Sequence, residues 1–446
     1  MTAGGGLVML DTRARPGEPV LRWSSRAHSI AEIETELARI WSRVDLTAIN
    51  EDAQPARRIA ARTSVMNLVV IARRPEIAER SAATIQALTG RHPSRTLVVQ
   101  SADPDGPSWL DARIEAHCVL PRDDAAETCA EMIHLTAGGE AGRHLAAIVA
   151  PLLVHDLPTT VWWPGEPPFT SAPGRDVFAA ADRLVVDGST WGGDGLARLA
   201  EMASVPRGTR VTISDFALVR QSRWREAIAS IFDDPEFLPY LRSLRRIAVT
   251  YATHDESGAP GSTNLVKPVY HVAWLASRLG MKVMQPLGPV GGSARAAKPA
   301  ARGGRSAAGR VGGGRPVVSR GLGAHLSDGR GDVSVVVRPV VSTMPAGTTL
   351  RVELLAERRG SEMRADVTAE ADIVRVRVWQ DGVEARDRSF NAPRRTDVDL
   401  LAEVIESTGR DPIGEDALAM AAALVGAGPA EGGDETADDD AGAVGE

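Results

Sequence analysis

Residues 65–99, with the sequence VMNLVVIARRPEIAERSAATIQALTGRHPSRTLVV, contain the pattern that decides the fold. The apolar run Val65–Ile71 has the length of a buried strand, and Pro75–Leu88 places its large apolar residues on one side of a helix. Gly90 ends that helix, and Thr96–Val99 is a second short apolar run. Strand, helix and strand in this order predict two parallel strands joined by a crossover helix. We therefore expect an α/β protein with a mostly buried sheet.

The segment that follows predicts an antiparallel hairpin at the edge of this sheet. Asp111–Val119 and Thr128–Thr136 both alternate polar and apolar residues, as antiparallel strands do. If the turn lies midway between them, Cys118 and Cys129 face each other across the two strands. They are the candidates for a redox pair. The alternative is two buried thiols, which a reducing cytoplasm favours.

A third stretch, residues 148–168 (IVAPLLVHDLPTTVWWPGEPP), combines a helix end, a buried strand and a proline-rich turn. Within the strand Thr159–Trp163, successive side chains point to opposite faces of the sheet. One of the adjacent rings, Trp162 or Trp163, is therefore expected to face away from the core beside Pro164. That arrangement would expose an aromatic surface for a partner or a ligand. In the alternative interpretation, neighbouring loops cover both rings.

Predicted strands and helices continue to alternate beyond residue 166, and β-rich segments with two final helices follow from residue 332. The predicted fold class is α/β, with mixed sheets and flanking helices in two units and a β-rich α+β carboxyl-terminal portion. The first ordered element is expected to be a helix capped by Ser29. The expected divisions are a disordered leader (1–20), an amino-terminal α/β domain (21–165), a second α/β unit (166–286), a disordered Gly/Arg-rich linker or insertion (287–331), an α+β portion that could form one domain with the second unit (332–427) and a disordered acidic tail (428–446).

Composition limits the class of protein. The chain has 446 residues, 43% of them hydrophobic, which is ordinary for a soluble globular protein of two or three domains. Without a long apolar run or a signal peptide, we expect a cytoplasmic protein that has no membrane partner. The net charge of -7 makes a nucleic-acid partner unlikely. The Arg/Gly-rich stretch 288–331 is interpreted as a flexible spacer, with RNA binding as its alternative.

Motifs for catalysis or cofactor binding are absent from the sequence. It contains no Walker A motif, no G-x-S-x-G elbow, no H-E-x-x-H and no Cys-x-x-Cys. We therefore expect no catalytic residue, no cofactor and no metal ion. The nearest approach to a phosphate cradle is the glycine-rich loop Gly188–Gly195, which is expected to lie between a strand and a helix. A sugar-phosphate or nucleotide-binding protein that uses this loop is the alternative function, and a simple flexible loop is the other interpretation.

Two predicted helices carry basic residues beside a tryptophan, a combination that suits a contact surface. The helix that begins at Leu265 has one basic stripe beside an apolar one, and a solvated charged face is its alternative interpretation. On the preceding helix, arginines suited to binding carboxylate or phosphate surround one tryptophan, which helical spacing also places in the core. The partner-binding candidates on the two helices are Lys267, His271, Trp274 and Arg278, and Arg220, Trp224 and Arg225. His271 has no assignable catalytic partner.

Segments spread over most of residues 60–425 resemble one known family. They are HPSR (92–95), APLLVHDLPTTVWWPGEPP (150–168), DRLVVDGS (182–189), Asp215-Phe216 with Arg220, Trp224-Arg225, Phe232-Asp233, APRRTDVDLLAEVIE (392–406) and Asp411-Pro412. In these segments the chain is similar to the OpcA family of glucose-6-phosphate dehydrogenase assembly proteins.

That resemblance implies a non-catalytic protein that promotes assembly and activity of the dehydrogenase at the entrance of the oxidative pentose phosphate pathway. Glucose-6-phosphate dehydrogenase is then the expected partner, with Trp162, Trp163 and the arginine-rich helices as its contact candidates. The resemblance also implies that the Gly/Arg-rich stretch is an insertion. Redox control, which occurs in some relatives, is not carried over, because Cys118 and Cys129 are the only cysteines.

Overall fold

The computed structural model describes residues 6–7, 19–42, 61–62, 64–119, 128–208, 210–254, 263–290, 321–370, 372–407 and 409–427. The strands are β1 (Gly6–Leu7), β2 (Pro19–Ala27), β3 (Ala61–Arg62), β4 (Asn67–Ala72), β5 (Arg95–Ser101), β6 (Trp109–Val119), β7 (Thr128–Gly138), β8 (Thr159–Trp163), β9 (Arg183–Val186), β10 (Thr212–Asp215), β11 (Leu244–Thr253), β12 (Lys282–Pro289), β13 (Leu322–Ser327), β14 (Asp332–Val341), β15 (Thr349–Arg358), β16 (Ser361–Glu370), β17 (Ile373–Gln380) and β18 (Val383–Asn391). The helices are α1 (Ile30–Ser42), α2 (Pro75–Gln86), α3 (Gly139–Arg143), α4 (Leu145–Val149), α5 (Ala172–Ala179), α6 (Leu196–Met202), α7 (Val205–Gly208), α8 (Phe216–Val219), α9 (Ser222–Phe232), α10 (Val266–Arg278), α11 (Asp397–Glu406) and α12 (Pro412–Leu424).

The first sheet has the strand order β1-β2-β6-β7-β5-β4-β8-β9-β10, and β3 also pairs with β7. Strands β4 and β5 are parallel and joined by α2, which confirms the prediction from residues 65–99. The hairpin β6–β7 is antiparallel, as predicted. Its predicted position at the sheet edge is wrong, because β2 pairs with β6 on the outer side.

The hairpin places the two cysteines opposite each other. Cys118 pairs in register with Cys129, as the sequence predicts, and a disulfide joins them. The expectation of two buried thiols is therefore wrong, because an unbroken register brings the fully buried side chains together. Disulfides are uncommon in a reducing cytoplasm, so the expected cytoplasmic location stays a prediction.

Both tryptophans of β8 are buried, with only 2% of Trp162 and 4% of Trp163 exposed. Their rings do point to opposite faces of the sheet, as strand geometry requires. Trp162 packs against Phe216 with ring centroids 6.0 Å apart, and Trp163 packs against Phe178 at 5.9 Å. The structure confirms the alternative interpretation, in which both rings are covered, and the prediction of an exposed ring is wrong, because apolar side chains cover this strand on both faces.

The second sheet has the order β12-β13-β14-β11-β15-β16-β17-β18. Strands β11 and β14 are parallel, and the other neighbours are antiparallel. Helices α9 and α10 pack on one face, where the valines of β17 are buried. The alternate residues of β17 are half-exposed on the other face. The outer strands of this sheet therefore have one covered and one uncovered side.

Sheet membership does not follow the expected divisions of the chain. Strands β9 and β10 extend the first sheet, so the expected boundary at residue 165 falls inside it and residues 166–286 do not form a separate α/β unit. Strands β11 and β12 instead join the strands of residues 321–391. Helix α11 returns to the first sheet, where Leu400, Leu401 and Val404 share a core cluster with Trp162. The carboxyl-terminal portion therefore contributes to both sheets.

Strands also occupy both ends of the expected linker and part of the expected leader. Strand β12 continues to Pro289 and β13 begins at Leu322, so the linker prediction is wrong at its ends. Residues 6–7 and 19–20 lie in β1 and β2, so the first described element is a strand and not a helix. Residues 291–320, the tail 428–446 and the rest of the leader lie outside the described residues.

Replacing either buried tryptophan by alanine should destabilise the protein strongly. We expect Trp162→Ala and Trp163→Ala each to reduce the free energy of unfolding by about 3–5 kcal/mol, since each leaves a large cavity in a packed cluster. Urea titration followed by circular dichroism measures this loss.

Trp109→Ala is the matched control, because 42% of the Trp109 ring is exposed and its removal should cost much less. A loss of less than about 1 kcal/mol in either β8 variant would contradict the packing described for that ring.

Candidate functional site

A cleft of about 350 Å³ lies between the helices α8 to α10 and the end of the second sheet near β15 and β17. Arg220 follows α8, Trp224 lies on α9, and Lys267 and His271 lie on α10; all four side chains line the cleft. The two groups of basic residues predicted on separate helices therefore meet at one site. The opposite wall consists of Met344, Pro345, Thr348, Thr349, Ala369, Ile373, Val374 and residues 392–395.

Three buried polar side chains line the cleft without satisfying all their hydrogen-bonding atoms. Gln221, His271 and Thr349 are exposed by 3%, 2% and 6%. Within the described residues, Gln221 Oε1, His271 Nδ1 and Thr349 Oγ1 have no hydrogen-bond partner. The amide nitrogen of Gln221 donates to the Lys267 carbonyl at 2.8 Å, which fixes that side chain. Buried polar atoms are normally paired, so this wall keeps unused hydrogen-bonding capacity.

The cleft carries excess positive charge. Arg220 pairs with Asp187 at 2.7 Å and Asp397 at 3.3 Å. In contrast, Lys267 and Arg394 have no carboxylate within 4 Å in the part of the chain that the structure describes. Burial lowers the pKa of Lys267, and the charge of Arg220 lowers it further. An anion in the cleft would relieve this repulsion.

His271 is a neutral imidazole at physiological pH. Burial lowers its pKa to about 3, and the charges of Arg225 and Lys267 act in the same direction. Its ring lies 5.0 Å from the Trp224 ring, centroid to centroid. A neutral imidazole nitrogen can donate or accept a hydrogen bond, whichever its tautomer allows. His271 therefore suits ligand binding better than charge pairing.

The other predicted contact residues do not reach the cleft. Arg225 borders a separate cavity of about 80 Å³ near Asp411, and Trp274 packs against the core. Arg278 is exposed and lies 3.7 Å from Asp416. Pro164 is half-buried beside the buried Trp163. The proline corner thus offers no exposed tryptophan to a partner.

The glycine-rich loop Gly188–Gly195 binds carboxylates of the protein itself. The Gly188 amide donates to Asp215 at 2.9 Å, and the Gly192 amide donates to Glu166 at 2.7 Å. The Ser189 amide donates to Asp187 at 3.2 Å. Amide donors that a phosphate cradle would need are already engaged, so the geometry does not favour the alternative phosphate site at this loop.

The uncovered face of the second sheet forms a ladder of arginines and carboxylates, which we call the arginine face. Its register aligns Glu353, Asp366, Arg377 and Asp387 across four strands. Arg351 lies 2.6 Å from both Glu353 and Asp366. The ladder is thus held by ion pairs between neighbouring strands. The side chains that define the arginine face are Arg351, Arg364, Arg375, Arg377, Glu353, Asp366, Asp387 and Trp379.

Trp379 is the aromatic centre of the arginine face. The guanidinium groups of Arg364 and Arg377 lie 5.2 and 5.3 Å from its ring centroid, within cation–π distance. The ring is half-exposed, and Val378, the residue before it, points to the core. This face presents tryptophan and arginine, the residue types enriched in binding hot spots.

Sequence reasoning missed the arginine face and half of the cleft. The strand IVRVRVWQ (373–380) alternates valine with arginine and tryptophan, which is the signal for a strand with one uncovered face. Nothing in the sequence indicates that Gln221, Thr349 and Arg394 meet at the cleft. They come from three separate elements, and only the tertiary fold brings them together.

Comparison with protein families gives two matches. Residues 85–204 match the family model for the N-terminal domain of a glucose-6-phosphate dehydrogenase subunit. Residues 211–418 match the family model for the C-terminal domain of the same protein. The two matches together extend over well more than half of the chain. A comparison with curated proteins finds no match.

Solved structures give only distant similarity. An NAD binding oxidoreductase from Klebsiella pneumoniae is 12% identical, with 82% of this chain and 96% of that chain covered and a TM-score of 0.43. The transcriptional regulator Gal80p from Kluyveromyces lactis is 10% identical, with 82% and 89% covered and a TM-score of 0.42. At these TM-scores the similarity carries no conclusion about function.

No helix in the described ranges is long and apolar enough to cross a membrane. Among the same residues, no group of three or more His, Cys, Asp or Glu side chains could hold a metal ion.

The burial of His271 should make stability depend on pH. Its folded pKa of about 3 lies below the ordinary value of 6.5, so the unfolded chain binds a proton in acid that the folded chain does not. The contribution of the neutral, buried His271 to the free energy of unfolding is fully present above about pH 6.5. It is lost as the pH falls from there toward the folded pKa of about 3. Between pH 6 and pH 5 the wild type should lose about 1 kcal/mol more unfolding free energy than His271→Gln.

Urea titrations of both proteins at the two pH values measure this difference. His325→Gln, at an exposed position on β13, is the matched control and should retain the wild-type loss. Equal losses in the wild type and His271→Gln would show that His271 is not held neutral by burial.

Proposed function

We propose, because this chain belongs to the OpcA family of glucose-6-phosphate dehydrogenase assembly proteins, that it binds glucose-6-phosphate dehydrogenase and promotes its assembly and activity. The observation that carries the proposal is the match of both family domains over residues 85–204 and 211–418. In this role the chain has no catalytic activity of its own. It acts on the dehydrogenase of the oxidative pentose phosphate pathway through protein contacts alone.

The arginine face supports this role as the surface that contacts the dehydrogenase. The arginine face extends over the four strands β15 to β18, about 19 Å across, and seven to eight residues extend about 24 Å along each strand. The area is about 460 Å², roughly half of what one partner contributes to a stable interface of standard size, so the contact would extend onto neighbouring residues of the chain. Such a surface can bind another folded protein without exposing a large apolar patch.

Ion pairs make the arginine face suitable for specific binding. Arg375 binds Asp387 through two hydrogen bonds, with Nε at 2.9 Å from Oδ1 and Nη2 at 2.5 Å from Oδ2. Arg364 lies 3.0 Å from Asp366. Side chains that are already ordered lose less conformational entropy when a partner binds. Alternating charges also set the orientation of the partner, because a shifted register would bring like charges together.

An assembly factor acts only if it binds one form of its partner more tightly than another. A rigid eight-stranded sheet can do this, because its ladder fits only a surface with a complementary arrangement of charges. The dehydrogenase form that presents this surface is stabilised by mass action. Assembly and activity then rise together as the concentration of this chain increases.

We expect Trp379→Ala to weaken the complex with the dehydrogenase. Truncating a hot-spot tryptophan costs about 2 kcal/mol or more of binding free energy, which is a loss of affinity of about thirtyfold. The measurement uses the purified dehydrogenase of the same organism. Sedimentation gives the mass and affinity of the complex, and NADP reduction gives dehydrogenase activity with and without the full chain.

Trp109→Ala is the matched control, since Trp109 is part of the first sheet and should not affect binding. Thermal unfolding confirms that both variants are folded. If wild-type chain neither binds the dehydrogenase nor changes its activity, the proposed function is wrong. If Trp379→Ala binds as tightly as Trp109→Ala, the function stands but the arginine face is not the contact surface.

A further inference from the structure

The cleft beside α10 is built from groups that lack partners within the described residues. Its three buried atoms, Gln221 Oε1, His271 Nδ1 and Thr349 Oγ1, come from the turn before α9, from α10 and from β15. Leaving a buried polar group unpaired destabilises the folded chain, because the group has lost its hydrogen bonds to water without replacing them. A ligand that supplies hydrogen-bonding groups at this wall recovers that free energy. Hydroxyl groups suit this wall for two reasons. They can donate a hydrogen bond to Gln221 Oε1, and they can either donate to or accept from His271 Nδ1 and Thr349 Oγ1.

The charge of the cleft selects for an anion. Lys267 is half-buried and lies beside Arg220, while Arg394 and Arg223 stand exposed at the mouth. Arg220 and Arg223 are paired with carboxylates, but Lys267 and Arg394 have none within 4 Å among the described residues. Lysine and arginine are the usual ligands of phosphate groups. Two unpaired cations on one cavity therefore favour a group such as a phosphate.

The shape of the cleft fits a small molecule better than a protein segment. Its volume of about 350 Å³ is at the lower end of the range for pockets that bind small ligands. The Trp224 ring and the side chains of Met344 and Ile373 supply an apolar wall beside the polar one. A compact molecule with an apolar or ring-shaped side, several hydroxyls and one anionic end matches these three surfaces.

We propose that this cleft binds an organic phosphate ester whose body carries hydroxyl groups. The phosphate contacts Lys267 and Arg394, the hydroxyls bind Gln221, His271 and Thr349, and the body packs against Trp224. Sugar phosphates and nucleoside monophosphates share this chemistry. The site is distinct from the loop Gly188–Gly195, where amides already bind carboxylates.

The cleft lies at the end of the second sheet, and most of the arginine face lies on the side of the sheet away from it. Val374 lines the cleft and is buried on the side that carries the helices, whereas Arg375 and Trp379 project from the other side. Ile373, at the start of β17, also lines the cleft, although it alternates with the residues of the arginine face. A bound ester therefore leaves Trp379 and most of the proposed contact surface free. The ligand site can be tested on this chain alone, independently of whether it binds the dehydrogenase.

Titration calorimetry on the full chain tests the proposal with a hexose phosphate, a nucleoside monophosphate, inorganic phosphate and the unphosphorylated hexose. We expect saturable binding of at least one ester and binding at least about tenfold weaker for the unphosphorylated hexose, because a hydrogen bond to a charged group contributes about 1.5–3 kcal/mol. Whether the hexose phosphate or the nucleotide binds more tightly identifies the source of the ester.

Three variants locate the site. Lys267→Met keeps the side-chain stem and removes the charge, and should weaken ester binding about tenfold. Thr349→Val removes a hydroxyl that has no partner among the described residues, so it should weaken binding while unfolding stability stays at or above the wild-type value. Lys282→Met, on β12 and outside the cleft, is the matched control and should bind as the wild type does.

Two results would overturn the proposal. The first is no saturable binding of either ester by the folded wild-type chain. The second is binding that Lys267→Met and Thr349→Val leave unchanged, or that Lys282→Met reduces as much as Lys267→Met does. Thermal unfolding of each variant without ligand shows that a loss of affinity does not come from a loss of structure.

Discussion

Both faces of β8 must be covered by apolar side chains, and this requirement organises much of the chain. Trp163 is covered by residues of α5 and the following loops, which are close in sequence. Trp162 requires α11, which begins more than two hundred residues later. Arg183 on β9 fixes that return, because its guanidinium donates to the carbonyls of Ser407 and Gly409 at 2.7 Å. The groups that cover Trp162 and bind Arg183 therefore follow the strands of the second sheet in sequence.

The return of α11 also creates the cleft. Residues 392–395 connect β18 to α11, so they have to cross from the second sheet to the first, and they pass over α9 and α10. This crossing brings Arg394 to the same cavity as Lys267. The position of the unpaired cations thus follows from packing elsewhere in the molecule. The arginine face has a different origin, because it is the side of the second sheet that the helices leave uncovered.

The candidate site was predictable in part. Arg220, Trp224, Lys267 and His271 can be found from helical spacing, since residues three and four positions apart share one face of a helix. Spacing does not show that the two helices face each other, nor that His271 is buried. For Trp162 and Trp163, strand geometry fixes that the two rings point to opposite faces of the sheet. Whether each face is exposed to solvent or covered depends on elements that lie far away in sequence, so local pattern could not decide it.

Local pattern by itself determined the α/β class, the pairing of β4 with β5 through α2, the β6–β7 hairpin and its cysteine register, and the family. Each of these depends on residues that are neighbours in sequence or on motifs that can be read directly. Tertiary structure alone decided that β9 and β10 extend the first sheet, that α11 covers Trp162 and that Thr349 and His271 line one cleft. These contacts join residues separated by tens to hundreds of positions, and hydrophobic burial does not specify which distant surface will provide it.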